Sequence, residues 1–237
     1  MIWQGEGLVL NILKHSESNI IITLFTPDKG IMKMLVRGGQ SKKRAAIFQD
    51  GNVISCVWKA RLEEHLGSVS SEAIVENFAA KFLFVKNKLL ALKTILELLT
   101  MATKAGEDYP VLYQITIEFL SKVRDSDLEI EDYINYELAF LSQIGYGLNL
   151  KKCSVTGSSE NLYYVSPKTG CVVTKDVGQK YHDKLIILPD FMQGRKKGDI
   201  DVARSFNLTG YFLEKYLLIP NGLKMPYSRN QLQLSFG

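Results

Sequence analysis

The sequence predicts a multi-domain α+β chain: an N-terminal five-stranded barrel, then an α-helical bundle into which a small hairpin is inserted. Three observations carry that class. Five short β-rich segments fall within about 70 residues, joined by turn residues with little helix between them. From about Ser71 the apolar period lengthens from two residues to three and four. Two Cys-x-x-Thr segments, Cys153 to Thr156 and Cys171 to Thr174, then bracket a polar stretch and a hairpin. The boundaries that follow are 1–75 for the barrel, 76–150 for the bundle, 151–180 for the hairpin, and 181–237 for a C-terminal helix that packs with the bundle.

Gly7 to Lys14 reads as the first strand and His15 to Ser18 as a polar turn. Ile20 to Thr26, β-branched and aromatic, is the second strand. Pro27-Asp28-Lys29-Gly30 is turn chemistry, with proline presetting φ and glycine free to take positive φ. Ile31 to Arg37 sorts its residues by face: Met32, Met34 and Val36 point one way, Lys33, Leu35 and Arg37 the other. Lys33 and Arg37 therefore share the outer face, roughly 13 Å apart at about 3.3 Å per residue. Gly38-Gly39 is a hinge into the loop cluster Lys42-Lys43-Arg44, which holds no acid. Asn52 to Lys59 is a fourth strand and Leu66 to Ser70 a weaker fifth.

The five-stranded barrel that commonly binds oligonucleotides is the OB-fold, which combines a basic groove with aromatic stacking platforms. Phe25, Phe48 and Trp58 are candidate platforms; the competing role for each is core packing. A hairpin that aims cations from a strand face and from its exit loop suits an anionic polymer. The competing reading is a solvated edge strand with a protective basic loop.

Phe78, Phe82, Val85, Leu89, Leu92, Leu96 and Leu99 recur at helical spacing, with Leu83, Leu90, Ile95 and Leu98 widening the stripe. That helix reads as central to the bundle. A second begins near Pro110, a residue suited to a first turn, and buries Ile115, Phe119 and Val123. A third runs from about Ile130 to Ile144, with Asp127 as candidate cap and Gly145 as its stop. Asn161 to Ser166 and Cys171 to Thr174 form the hairpin around Pro167-Lys-Thr-Gly170. Arg195-Lys196-Lys197 is a second basic cluster in a Gly-flanked loop. A last helix spans about Ile200 to Leu218, and Gly222 to Arg229 reads as irregular and basic.

Charge is distributed unevenly. Residues 1–75 hold 9 Lys/Arg and 7 Asp/Glu, residues 76–145 hold 7 and 11, and residues 146–237 hold 13 and 7. Bound nucleic acid would thus follow the two basic terminal parts and avoid the acidic middle. Apolar stretches are broken by charge before reaching membrane-span length. No basic segment followed by an apolar one opens the chain, so a cytoplasmic location is expected. Three cysteines make no disulfide framework.

No Walker A sequence, G-x-G-x-x-G, H-E-x-x-H or G-x-S-x-G is present, and His15, His65 and His182 are scattered. No catalytic residue is nominated. The pair Cys153 and Cys171 keeps half of a zinc-ribbon pattern, lacking two of four cysteines. A hydroxyl stays protonated and binds zinc poorly beside thiolate, so neither metal nor other cofactor is expected.

Several phrases together resemble the RecO family of bacterial recombination mediators over nearly the whole chain. They are G-L-V-L-x-I-L-K-H-S-E-S-N at 7–19, L-F-T-P-D-K-G at 24–30, V-R-G-G-Q-S-K-K at 36–43, L-S-Q-I-G-Y-G-L-N-L-K-K-C at 141–153, and P-Y-S-R at 226–229. The resemblance implies an OB-fold, a helical bundle and a ribbon that binds zinc in some members; the threonines place this chain with the metal-free ones. It implies a non-enzymatic protein of DNA repair and homologous recombination. Such a protein binds single- and double-stranded DNA and anneals complementary strands. It works with RecR and the acidic C-terminal tail of the single-stranded DNA-binding protein to load the recombinase RecA. By position, Lys33, Arg37, Lys42, Lys43 and Arg44 match the family's basic barrel face and loop. Arg61, Arg195, Lys196, Lys197 and Arg229 are DNA-binding candidates on charge alone. The alternatives are an OB-fold RNA-binding accessory factor, a barrel enzyme holding a small ligand, and a scaffold with solubilising basic loops.

Overall fold

The computed structural model of the chain describes residues 1–62, 65–194 and 199–236, in two compact units, 1–127 and 128–237. In the first, β1 (Ile2–Lys14), β2 (Ile20–Thr26), β3 (Gly30–Val36), β4 (Asn52–Lys59) and β5 (Ser68–Asn77) close a barrel in the order β1-β2-β3-β5-β4. This is an OB-fold-like arrangement. β1 is long enough to serve two neighbours: Ile2 to Leu8 pair with β4, and Leu8 to Lys14 with β2, across an irregularity at Leu10. The parallel pair Leu35–Ser68 closes the ring.

Alternation fills the interior with Val9, Ile22, Leu24, Met34, Val36, Ile54 and Trp58. The segment expected as a basic loop is a short helix, α1 (Lys42–Ile47). Asn52 Nδ2 donates to the carbonyls of Ala46 and Ile47 at its end (3.3 and 2.9 Å), which seats Phe48 in the barrel core. Phe48 and Trp58 are therefore core residues, and Trp58 Nε1 is spent on the carbonyl of Leu66 (3.0 Å). Phe25 lies outside the barrel core, buried against Tyr109 and Tyr113 (ring centroids 6.0 and 5.8 Å). None of the three is a stacking platform.

β5 runs seven residues beyond its expected end. Asn77 then caps α2 (Phe78–Phe82) by accepting from Ala80 N at 3.0 Å. The single long helix expected here is thus two, α2 and α3 (Lys86–Ala102), and α4 (Pro110–Asp125) follows with Pro110 in its first turn. The β2–β3 turn is bonded to the α3–α4 connection: Ile31 N donates to Lys104 O (3.1 Å) and Tyr109 N to Pro27 O (2.8 Å). Gly30, at φ +59°, allows this approach, since a Cβ there would lie 2.1 Å from Lys104 O.

The second unit comprises α5 (Ile130–Gln143), β6 (Leu162–Val165), β7 (Val172–Thr174), the turn α6 (Lys175–Gly178), β8 (Ile186–Ile187), α7 (Asp199–Leu213) and α8 (Tyr227–Leu234). The expected hairpin is present and gains β8, giving a sheet ordered β7-β6-β8. α5 starts after Glu129 rather than from an Asp127 cap, with Glu131 and Asp132 in its first turn, where the helix dipole favours carboxylates. α7 continues through a π-helical turn, Glu214–Leu218. The C-terminal stretch expected to be irregular winds into α8. By compactness the helices expected as one bundle are shared out, α2 to α4 in the first unit and α5 in the second. Among the described residues no helix is long and apolar enough to cross a membrane.

Candidate nucleic-acid interface

The hydrogen bonding of the barrel brings several cation-bearing segments to the exit of β3. Leu35 N donates to Gly67 O (3.3 Å), so the β4–β5 connection, which carries Arg61, lies beside the exit of β3. Lys33, on the outer face of β3, and Arg37, just past it, are both exposed. Gly38 N donates to Asn19 Oδ1 (3.0 Å) and Gln40 N to Ser18 O (3.1 Å), which ties the β1–β2 turn to the same edge. Lys42 and Lys43 project from the start of α1, exposed. Among the described residues no carboxylate is paired with Lys33, Arg37, Lys42, Lys43 or Arg61. Lys59, exposed and in register with Ser68, adds a cation the sequence reading left out; strand register, once known, identifies it.

Arg44 differs from its neighbours. Its Nε and Nη2 meet both oxygens of Glu72 on β5 (2.6 and 2.7 Å), and Nη1 donates to Arg37 O. It staples α1 to β5 and holds the loop that presents Arg37, Lys42 and Lys43. Its charge is spent inside the protein.

Arg229 is a correction. It is 3% exposed, with Nε and Nη2 on the carboxylate of Glu137 (2.7 and 2.9 Å), so it is a core residue of the second unit and cannot meet DNA. Arg195, Lys196 and Lys197 lie outside the described residues.

A cavity of the first unit, about 700 Å³, opens between β1 and α3. It is lined by Leu10, Leu83, Leu89, Leu92 and Leu96, with Asp50, Lys93 and Glu97 among its polar groups. Burial pushes the Asp50 carboxyl up, partly offset by Lys93.

In the hairpin Thr156 and Thr174 stand where the sequence pattern of a ribbon would need cysteines. Thr156 N donates to Cys153 Sγ at 3.4 Å, and polar groups of Thr156, Val155 and Thr174 favour its charged form. Two thiols and two hydroxyls do not fit tetrahedral zinc. Among the described residues no three His, Cys, Asp or Glu side chains gather as a metal site. Burial pushes the Cys153 thiol up, but the converging donors outweigh it and bring the pKa to about 6. A thiol held below its ordinary value near 9 stabilises the fold above that value, and the stabilisation disappears as pH falls through about 6. Thiolate absorbance of Cys153 is accordingly expected to rise near pH 6, and melting of the second unit to lose stability between pH 9 and pH 6. A Cys153→Ser variant removes that slope; an unchanged slope would refute the assignment.

The family described as Recombination protein O N terminal matches residues 1–78, and that described as Recombination protein O C terminal matches residues 86–224. The chain is similar to the DNA repair protein RecO of Orientia tsutsugamushi (strain Ikeda), 35% identical over 98% of this chain and 96% of that protein. It is likewise similar to the DNA repair protein RecO of Bartonella tribocorum (strain CIP 105476 / IBS 506), 34% identical over 98% and 94%. The corresponding protein of Ruegeria sp. (strain TM1040) is 37% identical over 92% of this chain and 90% of its own.

Proposed function

We propose, on the premise that this chain belongs to the RecO family of DNA repair proteins, that it binds single- and double-stranded DNA through the barrel rim and anneals complementary strands. The family places its role in DNA repair and recombination. The observation that supports the finer reading is the set of exposed cations Lys33 on β3 and Arg37, Lys42 and Lys43 beyond its exit, without described carboxylate partners.

Annealing requires no bond to be made or broken. Two strands repel through their phosphates; a cationic surface neutralises them, releases condensed counterions and lets bases find their complements. Phosphate contacts carry no base information, so binding is indifferent to sequence. Family membership extends the proposal to RecR and to the acidic tail of the single-stranded DNA-binding protein as partners in loading the recombinase.

Complementary DNA oligonucleotides coated with single-stranded DNA-binding protein are expected to anneal faster when this chain is added, and matched RNA oligonucleotides less so. Equal rates with and without the chain at low salt would overturn the proposal. A preference for RNA would move it to RNA metabolism.

A further inference from the structure

Beyond the barrel, the second unit carries an aromatic surface that packing does not use up. We propose that Tyr146 is a stacking platform for an unpaired base of single-stranded DNA, a second contact that rests on the DNA-binding reading above and deepens it.

The local structure puts Tyr146 at the surface. α5 ends in a Schellman arrangement: Gly145 takes φ +92°, Gly145 N donates to Ser142 O (3.1 Å) and Tyr146 N to Leu141 O (2.8 Å). In that motif the residue after the glycine commonly packs back on the helix. Here the ring of Tyr146 instead lies on Tyr216 of the π-helical turn, centroids 4.4 Å apart and planes 4° from parallel. Tyr216 in turn stacks on buried Phe212 (5.9 Å, 19°). Tyr146 ends this column and is 40% exposed, whereas Phe212 is buried and Tyr216 half-buried. A π turn is an uncommon winding that often marks function.

The surroundings favour an anionic occupant. Lys215 Nζ sits 4.6 Å from the Tyr216 ring centroid and donates to Pro167 O (2.6 Å), bringing the β6–β7 turn with exposed Lys168 to the column. Asn149 N donates to Gly170 O (3.0 Å), so the segment leaving Tyr146 follows the same turn and leads to exposed Lys151 and Lys152. Among the described residues no carboxylate pairs with Lys151, Lys152 or Lys168. The acid of the π turn is Glu214, whose charge acts on Arg229. A flat ring at the end of a rigid column, flanked by cations, is how sequence-tolerant single-strand sites hold bases.

The test compares Tyr146→Ala and Tyr146→Phe in the full chain, titrated against fluorescent oligo-dT, the same length of abasic strand, and duplex. Tyr146→Ala is expected to bind oligo-dT about tenfold more weakly. Tyr146→Phe should stay near the parent, and abasic and duplex affinities should be unchanged. Because no cation is lost, the salt slope should also stay constant, whereas Lys151→Ala with Lys152→Ala should flatten it. Parent-like oligo-dT binding by Tyr146→Ala, or equal weakening on abasic strands, would sink the platform while leaving DNA binding intact. Should Tyr146→Ala fail to fold, the parent alone decides, since equal affinity for oligo-dT and abasic strand would exclude a stacked base. A parent that binds no DNA at all overturns both this inference and the function it rests on.

Discussion

Glu137→Gln is expected to destabilise the second unit by about 3–5 kcal/mol, the usual cost of removing one partner from a buried ion pair. Glu137 is fully buried on α5 and Arg229 nearly so on α8. Besides its two bonds to the carboxylate, Arg229 Nη2 donates to Phe206 O (3.0 Å) and approaches Thr209 Oγ1 (2.9 Å), while the guanidinium sits 4.9 Å from the Phe206 ring centroid. Glu137 also accepts from the hydroxyls of Tyr133 (2.7 Å) and Thr209 (2.5 Å). Every oxygen and most of the fork are thus satisfied, which is the condition under which a buried pair holds. Glutamine keeps the shape but removes the charge, leaving a guanidinium that cannot deprotonate in an apolar site. The measurement is denaturant melting of the full chain, followed in the second unit. Glu137→Leu with Arg229→Met removes both charges and should regain at least half of the loss; if the single variant melts within about 1 kcal/mol of the parent, the network is not what anchors α8.

That network also shows what sequence can and cannot disclose. The barrel was legible because its signals are local: Ile20–Thr26 and Asn52–Lys59 are strands where β-branched runs end in turn residues, and the face assignment of Lys33 against Met34 and Val36 follows from alternation alone. β5 was read short because Glu72, Ile74, Val75 and Glu76 do not alternate cleanly; its second half is largely exposed, so no apolar period marks it. α8 was missed because its anchors are Ser228, Arg229 and Leu232, only one of them apolar. Whether an arginine faces solvent or core depends on a partner that can be far along the chain: Glu137 is 92 residues from Arg229, and Glu72 is 28 from Arg44. Charge in sequence therefore located the barrel cluster but could not separate Arg44 and Arg229, spent internally, from Lys33, Arg37, Lys42 and Lys43.

That separation leads to the last expectation. Replacing Lys33, Arg37, Lys42 and Lys43 together by alanine, with Arg44 left in place to hold α1 on β5, should weaken single-stranded DNA binding by about two orders of magnitude at 0.15 M salt. The estimate follows from counterion release: each phosphate contact on a single strand contributes about 0.7 to the slope of log affinity against log salt, so four lost contacts flatten it by roughly 3. The loss should be uniform across sequences, since these side chains read charge rather than bases. All four are exposed and form no described ion pair, so melting should stay within about 0.5 kcal/mol per substitution of the parent. Arg44→Ala should behave in the opposite way, loosening α1 through loss of the Glu72 pair while leaving the salt slope nearly as it was. If the fourfold variant keeps both affinity and slope, the barrel rim is not where the phosphates sit, and the positive surface of the second unit, from Lys151 to Lys168, becomes the primary contact.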